Sequence, residues 1–396
     1  MLILHTSDWH LGRTFHGASL SDAFHTWCTY VVDLVRERNI DAVLISGDVY
    51  DRSVPPADMV ELFNSTLEAL AALTTVVFTA GNHDSSTRLG FGRSLFRREV
   101  VARTESLEAA TPIPVRDRAG HVGAIVYGIP YLDPNRERVR LGSIDEPLER
   151  SHPAVMAAVL ERIAADIREG EFAGKNAARI VMAHAFVTGG ERSDSEQDIT
   201  VGGVDSVPAS LFRLGGTQRA DTTEHGMLDY VALGHLHSPQ RIALENGPII
   251  RYSGSPIAFS FSETTPKSSA PLHVENGVVE EVEELSAPVE RGLITIEGTL
   301  EEILSEAHTA DRDKYVRALV TDPARPRDLV ARIKAVFPHA MEVLHLAEGS
   351  VHHGVPEIKH RDGLEILTDF FADAGGRSLS AEEKALIQSA WEESRE

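Results

Sequence analysis

Short apolar runs recur along the chain, each ending at a polar or glycine-containing turn: LILHTSD near the front, then DAVLISGD, TVVFTAGNHD, GAIVYGIP, ARIVMAHAF, YVALGHLH and IIRYSGSP. Alternate side chains of a strand point to opposite faces, so strands apolar along their length suit a sheet covered on both sides. Helical spacing appears between several of these runs. FHTWCTYVVDLVRERN repeats apolar residues at Trp27, Val31, Leu34 and Val35 and ends at Asn39. PPADMVELFNSTLEALAAL opens with prolines, which a helix tolerates in its first turn, and carries Met59, Leu62, Phe63 and Leu67 on one side. HPAVMAAVLERIAADIREG follows Ser151 as an N-cap and stops at Gly170. This alternation predicts a layered α/β domain over residues 1–287.

Past that point the rhythm changes. RGLITIEGTLEEILSEAHTADRDKYVRALVTDP, PRDLVARIKAVFP and AMEVLHLA read together as β-α-β-α-β, a small separate α/β module over 288–348. Residues 349–396 begin as a linker and end in two amphipathic helices. LEILTDFFADA presents Leu364, Leu367, Phe370 and Phe371; SAEEKALIQSAWEESRE presents Leu386, Ile387, Ala390 and Trp391, with Ser380 and Glu383 in capping-box spacing. Two short helices cannot enclose a core, so the pair must dock on something else.

The bulk composition narrows the class. With 42% hydrophobic and 25% charged residues in 396, the chain has the balance of a soluble globular protein. No apolar run approaches the ~20 residues that span a bilayer. The start lacks the basic residues and cleavage site of a signal peptide, so a cytoplasmic protein without a membrane partner is expected. Cys28 is the one cysteine, which excludes an internal disulfide and any cysteine-based zinc site; it is expected in the core of the first helix. The net charge of −22 argues against broad adhesion to nucleic acid or anionic membrane, although bound cations can supply locally the positive charge that a phosphate substrate needs.

Polar clusters fall where the apolar strands stop, which is where open α/β sheets bind ligands. Asp8 and His10 follow the first run, Asp48 and Asp51 the second, and Asn82, His83 and Asp84 the third; His184 ends RIVMAHA, and His235 with His237 ends YVALGHLH. In Asp8-Trp9-His10 and His235-Leu236-His237 the outer residues project the same way if the chain stays extended. Gly47, Gly81 and Gly234 precede these residues, where the lack of a side chain permits a sharp turn or close backbone approach. Mixed carboxylate, amide and imidazole donors suit manganese, iron or zinc better than calcium. Two such cations about 3.5–4 Å apart can activate a water and neutralise a phosphate together. Each short motif is common by itself; the ordered set is not. His5 is expected inside the first strand, His16, His25, His121, His152, His225 and His273 have no partnered spacing, and His352 with His353 sit in the linker.

The ordered set resembles the calcineurin-like metallophosphoesterase superfamily over roughly the first 260 residues. ILHTSDWHLG (3–12), SGDVYDRSVPP (46–56), AGNHDS (80–85) and YSGSPIAFSFSE (252–263) are similar, more narrowly, to its branch of DNA-repair nuclease subunits that work with coiled-coil ATPases. The resemblance implies a two-sheet sandwich flanked by helices, with 288–348 as a capping domain and 349–396 carrying the C-terminal helix pair that docks the ATPase through Phe370, Phe371 and Trp391. It implies two divalent ions, manganese foremost. Asp8, His10, Asp48 and His237 would hold the first; Asp48, as the bridge, with Asn82, His184 and His235 would hold the second. His83 would be the catalytic histidine and Asp51 would orient its imidazole, with Asp84 left between chemistry and turn. Family members meet as homodimers through helices near the front, for which VELFNSTLEALAAL and RLGFGRSLFRREVV offer apolar faces, and form heterotetramers with the ATPase.

The implied activity is hydrolysis of phosphodiester bonds in double-stranded and hairpin DNA. A stand-alone phosphodiesterase or phosphomonoesterase for small nucleotides would use the same metals and suit the acidic composition, but has no need of a second module. A non-catalytic scaffold has no need of a full ligand set. Arg13, Arg88, Arg93 and Lys267 are the expected local cations for duplex DNA, with much of the affinity left to the ATPase.

Overall fold

The computed structural model describes residues 1–96, 99–196, 206–214, 227–289, 291–346, 380, 383 and 384. The apolar runs form strands of two packed sheets. The first, seven-stranded, has the order β12-β11-β1-β2-β3-β4, with β13 also paired to β11. Its strands are β1 (Leu2–Thr6), β2 (Ala42–Ser46), β3 (Thr75–Thr79), β4 (Val100–Arg103), β11 (Ser268–Glu275), β12 (Val278–Val282) and β13 (Leu285–Ser286). β1 to β4 run parallel, and β11 joins β1 antiparallel. The second, six-stranded, has the order β9-β10-β8-β7-β6-β5. It contains β5 (Ile113–Arg116), β6 (Val122–Ile129), β7 (Ala178–His184), β8 (Tyr230–Gly234), β9 (Gln240–Ile242) and β10 (Ile249–Tyr252), with β6, β7, β8 and β10 parallel.

Alternate residues of each strand enter different cores. Ile3, Leu44, Val77, Val126, Ile180 and Ala232 meet between the sheets. Their neighbours Leu4, Val43, Ile45, Val76 and Phe78 pack outward against α1 (Ser21–Arg38) and α2 (Ala57–Ala71). Ile125, Val181 and Leu233 pack against α3 (His152–Glu169). Uninterrupted apolarity is therefore required on both faces. The helix signals are equally local. Asn39 takes a left-handed conformation (φ 57°) and caps α1, and the Ser151 hydroxyl accepts from the Ala154 amide at the start of α3. Trp27, Cys28, Val31, Leu34 and Val35 are buried on α1.

Residues 293–345 fold as β14 (Leu293–Gly298), α4 (Leu300–Ile303), β15 (Tyr315–Val320), α5 (Leu329–Val336) and β16 (Ala340–His345), a three-stranded sheet with its own core of Ile296, Ile303, Val316, Ala318, Ile333 and Phe337. By compactness the chain divides into Met1–Val320 with Arg327–Leu344, and Thr321–Pro326 with His345–Glu396. In the second unit the expected capping box is formed: the Ser380 amide donates to Glu383 Oε2 at 2.8 Å, and the Glu383 amide donates to Ser380 Oγ at 3.2 Å. Phe370, Phe371 and Trp391 lie outside the described residues, as do His225, His352 and His353. Among the described residues no helix is long and apolar enough to cross a membrane.

A buried side-chain pair sits in the apolar layer between the sheets. His5 on β1 and Tyr230 on β8 are fully buried, with His5 Nδ1 2.9 Å from the tyrosine hydroxyl. Burial, with Arg251 adding to it, pushes the His5 imidazole down to about 3, so it is neutral in the fold. The unfolded chain takes up that proton below about pH 6.5, so this contribution to stability is present above 6.5 and lost as pH falls from there toward 3. Denaturant titrations should show the wild type losing more stability than His5→Gln between about pH 7.5 and about pH 5. Tyr230→Phe should cost about 1–3 kcal/mol at neutral pH by leaving His5 without its partner.

Candidate metal centre

Five strand ends, from β1, β2 and β3 of one sheet and β7 and β8 of the other, bring their polar residues to one edge. Asp8, His10, Asp48, His184, His235 and His237 are each 2% exposed or less. Asn82, His83 and Asp51 are half-buried at the rim. The loops are tied to one another through their backbones. The amides of Asp8, His10 and Leu11 donate to the carbonyls of Gly47, Asp48 and Val49 at 3.1, 3.0 and 2.9 Å. Asp84 accepts from the amides of Val49, Tyr50 and Gly81 at 3.1, 3.0 and 2.9 Å, so it supports the turn. The His235 amide donates to Asp8 Oδ1 at 3.0 Å, which joins the two sheets.

The local backbone differs from the extended geometry that the D-x-H and H-x-H spacings suggest. Asp8, His10, Asp48 and His235 have φ of 55°, 44°, 48° and 105°. Asp8 and His10 converge because the chain coils tightly after its strand, not because side chains alternate. Non-glycine residues in this region cost free energy and are held only where their surroundings over-determine them. Two glycines make the close approach possible. A Cβ on Gly81 would lie 2.1 Å from Asp48 Oδ1, and one on Gly234 would lie 1.9 Å from the Ser46 carbonyl.

Asp48 Oδ2 lies between two sets of donors. His184 Nε2 is 3.3 Å away on one side and His10 Nε2 is 3.6 Å away on the other. His10 Nε2 in turn faces His237 Nε2 at 3.0 Å, and Asn82 Oδ1 lies 2.9 Å from His184 Nε2 and 3.2 Å from His235 Nδ1. Asp8, His10 and His237 offer ligand atoms within 4.8 Å of one another, as do Asp8, Asp48 and His184, and His10, Asp48 and His83. His83 Nδ1 is 2.7 Å from the Asp51 carbonyl, and its Nε2 is 4.0 Å from Asp48 Oδ2. The orienting group is thus the main-chain oxygen of Asp51. Its carboxylate instead lies 3.7 Å from His10 Nδ1 and 3.7 Å from Arg13 Nε.

The electrostatics suit a cation. Burial drives the His10 and His235 imidazoles well below their ordinary range, so both are neutral donors, the form a metal requires. Burial pushes the Asp8 carboxyl up to about 6 against the pull of His184 and His237. Burial opposes the charge on Asp48 too, but His184, then His10 and His83, outweigh it and hold the carboxyl well below the usual range. Asp48 likewise outweighs burial at His184 and raises it to about 9. Among the described residues no group hydrogen-bonds to the buried His235 Nε2. The converging oxygen and nitrogen atoms of Asp8, His10, Asp48, His184 and His237 fit divalent metal ions.

Four residues join the site that its sequence motifs do not assign to it. Ser195 Oγ lies 2.5 Å from His237 Nδ1 and donates to Glu263 Oε1 at 2.6 Å; Lys267 Nζ is ion-paired with Glu263 Oε2. Glu263, held down to about 2 by His237 and Lys267 against burial, and the 4% exposed Lys267 are both interior. Phe259 packs edge-on against the rings of His10 and His237 at 5.2 and 5.4 Å. Glu263 and Lys267 stand four residues apart but on no helix, so their spacing gives no pairing signal, and Ser195 carries none either. Lys267 is therefore withdrawn from the expected DNA-facing cations, because burial beside Glu263 removes it from the surface. Arg93 pairs with Glu108 at 3.2 Å, Arg88 donates to the Ser53 carbonyl at 3.0 Å, and Arg13 stands over Phe259 at 4.9 Å.

A set of carboxylate, amide and imidazole donors at the strand ends of a two-sheet sandwich is suited to metal-dependent cleavage of phosphate esters. The chain belongs to the calcineurin-like phosphoesterase family, whose model matches residues 1–239. A second model, described as the Type 5 capsule protein repressor C-terminal domain, matches 289–374. The SbcD subunit of the nuclease SbcCD from Staphylococcus saprophyticus subsp. saprophyticus is 28% identical over 398 residues, covering 98% of this chain and 97% of its own. Among solved structures, a dimetal phosphatase from Danio rerio is 12% identical and covers 72% of this chain and 96% of its own, with a TM-score of 0.43. GAP50, the anchor in the inner membrane complex of Plasmodium, is 10% identical and covers 87% and 97%, with a TM-score of 0.34.

Divalent ions stabilise a folded state that binds them, by about 2.7 kcal/mol at a hundredfold excess over Kd. Manganese should raise the Tm of the wild type, and EDTA should reverse the rise. In Gly81→Ala the added methyl displaces Asp48, so the rise should largely vanish while the circular dichroism spectrum stays native.

Proposed function

We propose that the chain is the nuclease subunit of a cytoplasmic, ATP-dependent DNA-repair complex, hydrolysing phosphodiester bonds at double-strand ends and in hairpins with two manganese ions. The observation that carries this reading is the likeness, over 98% of the chain, to a relative named as part of the nuclease SbcCD, combined with a ligand set complete at all five strand ends. Asp8, His10, Asp48 and His237 would hold one ion, and Asp48, Asn82, His184 and His235 the other. When bound, the ions supply the charge that binds the phosphate and activates water.

The chain's own residues do the rest. Asp48 keeps the two donor sets in register. His83, which keeps Nδ1 on the Asp51 carbonyl, turns Nε2 toward the reacting phosphate and hands a proton to the departing nucleoside oxygen. Arg13, 17% exposed beside Asp51 and donating from Nη2 to the Ser195 carbonyl at 2.6 Å, stands at the edge of the site, where its exposed part would meet the phosphate backbone. Because the net charge is −22, duplex affinity comes mainly from an SbcC-type coiled-coil ATPase docked on the C-terminal helices. Residues 1–287, 288–348 and 349–396 serve as nuclease domain, capping domain and docking tail.

A homodimer is supported by an exposed apolar surface at α2 and the segment after it. Val54, Phe91 and Leu95 are 61, 85 and 85% exposed, with Val60 beside them, and contiguous apolar surface of this kind marks interaction sites. Two such subunits with two ATPase chains make a heterotetramer.

His83→Ala should keep the manganese-dependent rise in Tm while lowering turnover on duplex ends at least about 100-fold. Leu95→Glu should convert a dimer at micromolar concentration into a monomer by light scattering. Assays on a duplex end, a 2′,3′-cyclic nucleotide and p-nitrophenyl phosphate separate the activities. Turnover of p-nitrophenyl phosphate with none on duplex ends, even with the ATPase present, would place the chain among small-substrate phosphoesterases instead.

A further inference from the structure

We infer that Ser195, Glu263 and Lys267 form a positioning chain that fixes the ring orientation and the proton of His237, so that its Nε2 lone pair is permanently presented to the metal centre. The inference rests on the metal-dependent reading above and concerns residues that touch neither metal nor substrate.

A single proton decides the arrangement. Ser195 Oγ has three neighbours: Glu263 Oε1 at 2.6 Å, His237 Nδ1 at 2.5 Å and Ser193 Oγ at 2.9 Å. A hydroxyl has one proton to give and two lone pairs with which to accept. Charge-assisted hydrogen bonds are the shorter and stronger ones, so the proton goes to the carboxylate and not to the neutral, more distant Ser193 hydroxyl. Lys267 Nζ on Glu263 Oε2, with the Phe259 amide donating to Oε1 at 3.1 Å, keeps Glu263 an acceptor. Ser195 can then only accept from His237, which places the imidazole proton on Nδ1. Nε2 is left bare, 3.0 Å from His10 Nε2.

Lys267, with Ser255 and Glu196, also clamps the His237 backbone. Lys267 Nζ donates to its carbonyl at 2.9 Å, and the Ser255 amide donates to it at 3.1 Å. The His237 amide donates to Glu196 Oε1 at 2.9 Å, one residue from Ser195. Ser195, Glu263 and Lys267 are 8, 4 and 4% exposed. An ion pair this deep is no better for stability than a well-packed apolar pair of similar volume. Its value lies in direction: three donors converge on one carboxylate, and that carboxylate aims one hydroxyl.

Metal-free full-length protein carrying 15N-labelled histidine, with His237 assigned by difference from His237→Gln, provides the test. In the wild type, His237 should show a pyrrole-type Nδ1 and a pyridine-type Nε2. Ser195→Ala should give a mixture of tautomers and bind manganese about 10–100-fold more weakly by calorimetry. Ser195→Thr should restore both readouts. Glu263→Gln, whose amide donates toward Ser195, should move the proton toward Nε2. A Ser195→Ala protein with wild-type tautomer and wild-type manganese affinity would overturn the inference. So would a wild type with its proton on Nε2. Failure of the underlying reading looks different: the wild type itself would take up no manganese, whatever its tautomer.

Discussion

Asp48 is where the two halves of the molecule meet. Its carboxylate is almost wholly buried, receives the His83 amide at 2.9 Å on one oxygen, and lies with the other between His10 from its own sheet and His184 from the opposite one. A lone buried carboxylate is strongly unfavourable. Here the His184 imidazole of the opposite sheet, raised to about 9 by this carboxylate, and the His83 amide offset that cost, and they reach the carboxylate only if both sheets end at the same level. The left-handed backbone at Asp8, His10 and Asp48 follows from that demand, because chains leaving parallel strands must turn at once to point their side chains at one place.

The fold was legible because both faces of both sheets are covered. Runs such as DAVLISGD leave little choice, since alternate residues must each find a core, and Leu44 and Val43 do so on opposite sides. Local caps read equally well at Asn39 and Ser151, where one residue's conformation or hydroxyl ends or starts a helix. Residue type and order pointed to Asp8, His10, Asp48, His184 and His237 as residues that one sheet edge brings together. The geometry was not legible. Spacing alone suggests extended pairs, but tight turns bring Asp8 and His10 together; likewise Asp51 contributes a carbonyl where its carboxylate is expected. Lys267 looks like a surface cation for the same reason: a sequence does not show that a charge has been folded inward onto Glu263. Ser195, far from any motif, acquires its place only through tertiary contact with His237.

Buried polarity in this protein has two distinct forms. His5 with Tyr230 is a neutral contact inside the layer between the sheets. The groups around His237 are charged and directional, and they connect the 252–267 segment to the metal centre. YSGSPIAFSFSE thereby gains a physical meaning. Gly254 (φ 76°) lets the chain turn beneath His237, Phe259 lies against its ring, and Glu263 reaches the hydroxyl beside it.

The long sequence span of the centre has a consequence for how the protein comes into being. Asp8 accepts from the amide of His235, 227 residues further on. A chain still emerging from the ribosome holds the front carboxylates and His83 long before β7 and β8 exist. Until those strands are made and seated, Asp8, His10, Asp48 and Asn82 have nothing to close upon. A half-synthesised or truncated copy therefore stays inert, and the capacity to cut is switched on only by completion of the sandwich.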